Sequence, residues 1–181
     1  MKTICLYFEI HQILHLKRYR FFDIGTDHYY YDDYENERTI SDIAERSYMP
    51  ALNTIGEMIK ENGQAFKVAF SLSGVGIEQL ELHAPQVLEK LQQLNDTGCV
   101  EFLAEPFSHG LSSLANEECF AADVKKQVEK IKEYFNQTPP LTSLQARIGV
   151  GVRLRAHWLR AVTPMGISTK PATGAKVAKK Y

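Results

Sequence analysis

The chain has 181 residues, 44% of them hydrophobic and 24% charged, with a formal net charge of −1. That length supports one domain with a sizeable core. The first apolar run, "ICLYFEI", is far shorter than the roughly 20 residues a membrane helix needs. Only Met1, Lys2 and Thr3 precede it, too few for the charged and apolar regions of a signal peptide. Cys5, Cys99 and Cys119 form no CxxC pair. This argues against a disulfide framework or a zinc finger and fits a reducing, cytoplasmic location.

In chain order, "ICLYFEIH" reads as a strand buried on both faces, because its apolar residues are nearly continuous and rich in branched and aromatic types. "LKRYRFFDIGTDHYYYDDYENE" has no period and reads as a long excursion. Ser41 is the expected cap of a helix starting at Asp42, with Ile43, Ala44, Tyr48, Leu52, Ile55 and Ile59 at helical spacing and Pro50 as a kink. "FKVAFSLSG" is a second strand, ended by Gly74 and Gly76. A helical stretch follows, broken near Pro85, with Val87, Leu88, Leu91 and Leu94 on its apolar face. "GCVEFLA" is a third strand. After the loop "EPFSHGLSSLAN", Asn116 caps a helix whose stripe is Phe120, Val124, Val128, Ile131 and Phe135. Strand and helix alternating in this way predict an α/β fold on a parallel sheet with right-handed crossovers.

Charge divides the chain near residue 140. All 22 acidic residues lie in 1–140, against 13 Lys and Arg, a net of −9. Residues 141–181 carry eight Lys and Arg and no Asp or Glu, a net of +8. The expected division is a folded part over 1–140 and an atypical basic tail over 141–181. The tail holds one possible short strand at Ile148–Leu154 and is expected to be poorly ordered.

In parallel βα folds, ligands collect where strands end and loops begin. His11 and Gln12 end strand one, Ser71 to Ser73 end strand two, and Glu105 with His109 follow strand three. Each residue alone is more often a cap for a neighbour's backbone; together, at one edge of one sheet, they make a candidate site. Metal spacing is weak: His11 and His15 are four apart with no HExxH glutamate, and Glu105 with His109 is no better. No metal or cofactor is therefore expected. The chain has no GxSxG elbow and no phosphate-binding glycine loop. In the excursion, Tyr19, Phe21, Phe22, Tyr29, Tyr30, Tyr31 and Tyr34 are interleaved with Asp23, Asp27, Asp32 and Asp33. Such rings stack on sugar C–H faces, or alternatively pack as an aromatic mini-core that anchors the loop. The acidic residues would repel phosphate, which argues against nucleic acid.

"ICLYFEIHQ", "LKRYRFFDIG", "HYYYDDYENERTISDIAERSYMPALNTI", "FKVAFSLSGVGIEQLE" and "GCVEFLAEPFSHGLSSL" together resemble the N-terminal part of glycoside hydrolase family 57, in its α-amylase-like branch, over about residues 1 to 138. The family's first motif, His-Gln-Pro, stands here as His11-Gln12-Ile13, without the proline. Its strand-three motif corresponds to Gly98 to His109. The resemblance implies about three βα units of a distorted seven-stranded (β/α) barrel, retaining chemistry on α-glucans and no obligatory metal. It also implies a nucleophilic Glu after strand four and an acid/base Asp beyond it, both past the matched region, where this chain has no acidic residue. His11, Glu105 and His109 are then expected to bind sugar hydroxyls, with no catalytic carboxylate in the chain. Glu101, by strand alternation, is expected to turn into helix packing. The whole reads as a truncated α-glucan hydrolase or, alternatively, a non-catalytic glucan-binding or structural remnant. The missing fourth strand leaves an open sheet edge through which the chain could self-associate.

Overall fold

A computed structural model describes residues 6–26, 28–110 and 116–139. Three strands, β1 (Leu6–Ile10), β2 (Val68–Leu72) and β3 (Val100–Leu103), form a parallel sheet in the order β1-β2-β3. Helices α1 (Asp33–Ile43) and α2 (Met49–Asn62) connect β1 to β2. Helices α3 (Gly74–His83) and α4 (Pro85–Asn95) connect β2 to β3, and α5 (Glu117–Phe135) follows β3. The parallel α/β architecture expected from the alternating pattern is present. Expectations for the tail, including the strand at 148–154, lie outside the described residues.

The helices cover one face of the sheet. Ile10, Val68, Phe70, Leu72, Val100 and Phe102 share a core with Ile40, Leu52, Ile55, Ile77, Leu91 and Ile131. Phe102 stacks on Phe135 of α5 at 4.1 Å between ring centroids, so even-numbered strand residues point toward helices. Alternation turns Tyr7, Glu9, Ala69, Ser71, Glu101 and Leu103 to the opposite face. Glu101 therefore points away from helix packing, contrary to expectation.

β2 is buried along its whole length, as a central parallel strand should be. β1 is not: Phe8 and Glu9 are exposed, because β1 pairs only with β2 among the described residues. On β3, the Gln137 side chain occupies two edge groups, accepting from Phe102 N at 3.2 Å and donating to Val100 O at 3.0 Å.

The first helix starts earlier than expected. Asp32, rather than Ser41, is its cap, and its carboxylate accepts from Glu35 N at 3.1 Å. Only Asn36 and Ile40 of α1 are buried, so this helix shows no apolar stripe in sequence. Asn36 instead ties the excursion down, accepting from His15 N at 2.7 Å and donating to His15 O at 3.3 Å. Before Pro50, residues Ala44–Tyr48 widen into a π-helical turn. Proline has no N–H to continue the ladder, and the wider turn carries the chain past it.

The excursion does not form a mini-core. Phe21 and Phe22 are 81% and 86% exposed, and Tyr29, Tyr30, Tyr31 and Tyr34 are exposed too. Its ends are held by main-chain bonds from Lys17 N to Tyr30 O and from Asp32 N to His15 O, 2.8 and 2.9 Å.

Candidate functional site

The three strands end together, and the residues that follow them meet. Ser73, just after β2, caps α3: its Oγ accepts from Gly76 N at 3.0 Å. The same hydroxyl shares a 2.7 Å hydrogen bond with Nδ1 of His11, the residue after β1. Gly76 makes this approach possible, since a Cβ there would lie 2.9 Å from Ser73 Oγ and 3.3 Å from the Ile10 carbonyl. Gly74 has a second role: a Cβ would fall 1.9 Å from the Phe107 ring. The two glycines thus fit the helix start against β1 and against the loop after β3.

That loop is fixed from both sides. Val75 N donates to Phe107 O at 3.1 Å, and Phe107 N to Asp123 O at 3.3 Å. Ser108 Oγ donates to Asp123 Oδ1 at 3.0 Å, and Lys126 Nζ sits 3.6 Å over the Phe107 ring. A turn from Pro106 to His109 leaves His109 left-handed, with φ 54°. This region is uncommon for a residue with a Cβ and marks a position held by its surroundings.

His109 is the centre of the site. Its ring stacks on His11 at 4.0 Å and 17° between planes. Its Nε2 lies 3.1 Å from Glu9 Oε1, and its Nδ1 lies 3.5 Å from Glu105 Oε2. The second contact falls outside hydrogen-bond geometry, and both Glu105 oxygens and His109 Nδ1 are buried without a hydrogen-bond partner. Glu9 is braced by Tyr7, whose hydroxyl donates to Glu9 Oε2 at 3.2 Å. Burial, then the negative charge of Glu9 and Glu105, pushes the Tyr7 phenol far up, and it remains a donor.

Glu105 is fully buried and its carboxyl is pushed up to about 8. Burial is the main cause and the charge of Glu9 adds to it. The Ser71 hydroxyl is close enough to pull the other way, but Ser71 Oγ makes no hydrogen bond, so burial prevails. At neutral pH Glu105 is therefore mostly protonated, a donor as well as an acceptor. His11 is pulled down to about 4, first by burial and then by neighbouring His109, and stands neutral. Burial also raises Glu101, against the opposing charge of Lys67.

His11, Glu105 and His109, chosen from sequence, do come together at the carboxyl ends of the strands. Ser73 joins them; Ser71 faces the same side without a bond. Gln12 offers its carbonyl to Gln79 Nε2 at 2.8 Å, and its side chain lies against the Tyr48 hydroxyl rather than the histidine pair. His15 is part of the anchor of the excursion. Two residues escaped the sequence reading. Glu9 was hidden in an apolar run, although it shares strand alternation with Tyr7 and His11. Gln127 of α5 is fully buried; its amide donates to Leu72 O and Leu103 O at 2.8 and 3.3 Å and accepts from Glu105 N at 3.4 Å. It clamps the ends of β2 and β3 and fixes where Glu105 leaves the sheet.

The described residues form a parallel βα sheet with a buried carboxyl and a histidine pair at its strand ends, and comparison with known proteins gives the family. Residues 5–148 match the model of glycosyl hydrolase family 57, and the chain belongs to that family. The match ends inside the segment that has no acidic residue. A protein of Methanocaldococcus jannaschii described as "Putative alpha-amylase" is 35% identical over 107 residues, covering 59% of this chain and 22% of that protein. The 4-alpha-glucanotransferase of Thermococcus litoralis shares the fold over 76% of this chain and 18% of its own, with a TM-score of 0.55 and 17% identity. A branching enzyme of Pyrococcus horikoshii, described as GH57-type, gives a TM-score of 0.48 at 17% identity over 76% of this chain and 34% of its own. The chain thus spans about a fifth of the curated relative it matches. No helix among the described residues is long and apolar enough to cross a membrane.

Proposed function

We propose that this chain supplies the first three βα units of a distorted (β/α) barrel acting on α-glucans, and that its strand-end cluster binds sugar hydroxyls without cleaving the glycosidic bond. The observation that carries the reading is Glu105: a fully buried carboxyl with both oxygens unpartnered, beside two stacked histidines. A buried polar group without a partner costs free energy, and a ligand hydroxyl that both donates and accepts would satisfy it. The matched relatives are named for α-glucan chemistry, an alpha-amylase and a 4-alpha-glucanotransferase, which supports glucose units as the ligand.

Cleavage with retention needs two carboxyl groups about 5–5.5 Å apart on either side of the scissile bond. Residues 141–181 offer none. Glu9 and Glu105 are the one close pair at the site, with ligand atoms within 4.8 Å of each other and of His109. They form a second reading, since one buried and one half-exposed carboxyl is the contrast an acid and a base require. The position of His109 argues against it: the imidazole contacts both carboxylates and stands where a glycosidic oxygen would have to enter. A glucan-binding or structural remnant, without turnover, is the form of the proposal that this geometry favours.

With Gln137 on the β3 edge, any self-association by strand pairing would use the outer side of β1. A cytoplasmic location remains part of the same proposal. Incubating the 181-residue chain with soluble starch and measuring reducing ends tests it directly. The proposal expects no release above a boiled control. Release abolished by Glu105→Gln and by Glu9→Gln would replace it with the second reading.

A further inference from the structure

We infer that Glu9, Glu105 and His109 form a binding site for a divalent transition-metal ion, of which Zn2+ is the best-suited common example. Each residue offers one ligand atom, and these atoms lie within 4.8 Å of one another. The three come from different places in the chain: β1, the end of β3, and the left-handed turn position that follows it.

Proximity of acidic groups alone would not make a site; the state of Glu105 does. Both its oxygens are buried and without a hydrogen-bond partner, and so is Nδ1 of His109, 3.5 Å away. No Lys or Arg side chain is paired with any of the three among the ion pairs of the described residues. A metal ion would take these buried, unpartnered oxygens and the unpartnered nitrogen as ligands and so satisfy them. One imidazole nitrogen and two carboxylate oxygens suit a borderline cation with few ligands. Ca2+ requires six to eight oxygens, and Mg2+ keeps a near-octahedral oxygen shell, which three side chains do not provide. Three protein donors leave a fourth position open to water or to a ligand hydroxyl. His11 is not among the donors; stacked on His109, it fixes the plane of that ring.

Sequence spacing conceals the set, because Glu9 lies about a hundred residues before its partners. The inference does not depend on glucan binding. It is tested by titrating the metal-free chain with ZnCl2 by calorimetry, and with CoCl2 by visible absorption. The expected result is saturable binding at one ion per chain, with cobalt bands free of thiolate charge transfer. Glu9→Gln, on the exposed side of β1, should weaken binding at least tenfold with an unchanged circular dichroism spectrum. His109→Ala and Glu105→Gln should abolish it, whereas His28→Ala and Cys119→Ser should leave it intact. Absence of saturable binding overturns the inference. So does binding that survives Glu9→Gln and His109→Ala, or that is lost in Cys119→Ser.

Discussion

The two faces of the sheet use the same three strands to opposite ends. On the helix side, Val68, Phe70, Leu72, Val100 and Phe102 pack into one apolar core. On the other, Tyr7, Glu9, Ser71 and Glu101 alternate with them, and Glu105 and His109 follow at the strand ends. The first face releases water and stabilises the fold. The second buries Glu105 and Ser71 with side-chain oxygens unpartnered, an arrangement that costs stability and persists because the first face holds it. A residue's contribution therefore follows from its parity in the strand more than from its depth, since Phe102 and Glu105 are equally buried.

The contrast is broken most severely from the helix side. Phe102→Ala removes a ring stacked on Phe135 and packed beside Phe70, and should cost about 3–5 kcal/mol. Urea denaturation should show a large fall in the midpoint, with binding at the opposite face weakened only through unfolding.

On the polar face the largest effect should depend on pH. Glu105 sits near 8 in the folded chain, against an ordinary value of 4.5. Between these values the folded state holds a proton that the unfolded state has lost. Stability from this group is therefore full below about 4.5 and lost as pH rises toward 8. Glu105→Gln, which cannot ionise, should match the parent near pH 4.5 and exceed it above pH 8, by an amount on the order of a few kcal/mol. Denaturant midpoints of both proteins across this range check the sign. His11 runs the other way: held near 4 against 6.5, it costs stability as pH falls through that interval.

Gln127 links the two faces, and its loss should have an intermediate effect. Gln127→Ala leaves Leu72 O, Leu103 O and Glu105 N without this partner and should cost about 1–3 kcal/mol. Because the same amide fixes Glu105, ligand binding should fall further than stability explains, which a binding titration at a temperature well below unfolding would show.

How much of this could be read in advance follows the same parity. The helix-facing residues make short apolar runs, so three parallel strands and the helices over 85–95 and 117–135 were legible. The cap at Asn116 was too; its side chain accepts from Glu118 N and Cys119 N. α1 was not, because a helix that buries only Asn36 and Ile40 has no periodic signal, though Asp32 stood there as a cap. His11, Glu105 and His109 were found from their place after strands. Glu9 was missed because its partner is a hundred residues distant, and register between parallel strands is not written in local pattern. Of the two readings of the aromatic excursion, the mini-core failed for a related reason: rings in a cluster suggest packing, while Phe21, Phe22, Tyr29, Tyr30, Tyr31 and Tyr34 remain exposed.

The smallest effect belongs there. Phe22, 86% exposed, should tolerate Phe22→Ala within about 0.5 kcal/mol by thermal denaturation. A larger loss would mean that the ring is covered by something beyond the described residues.

The central claim is that the strand-end cluster receives glucose hydroxyls. Titrating the chain with maltotriose while following the imidazole proton resonances of His11 and His109 tests this most directly. The account predicts saturable shifts of both resonances, much reduced by Glu105→Ala, with none of comparable size from His28 and no response to cellotriose at the same concentration. Unmoved His11 and His109 resonances at saturating maltotriose, or equal shifts with both sugars, would contradict it.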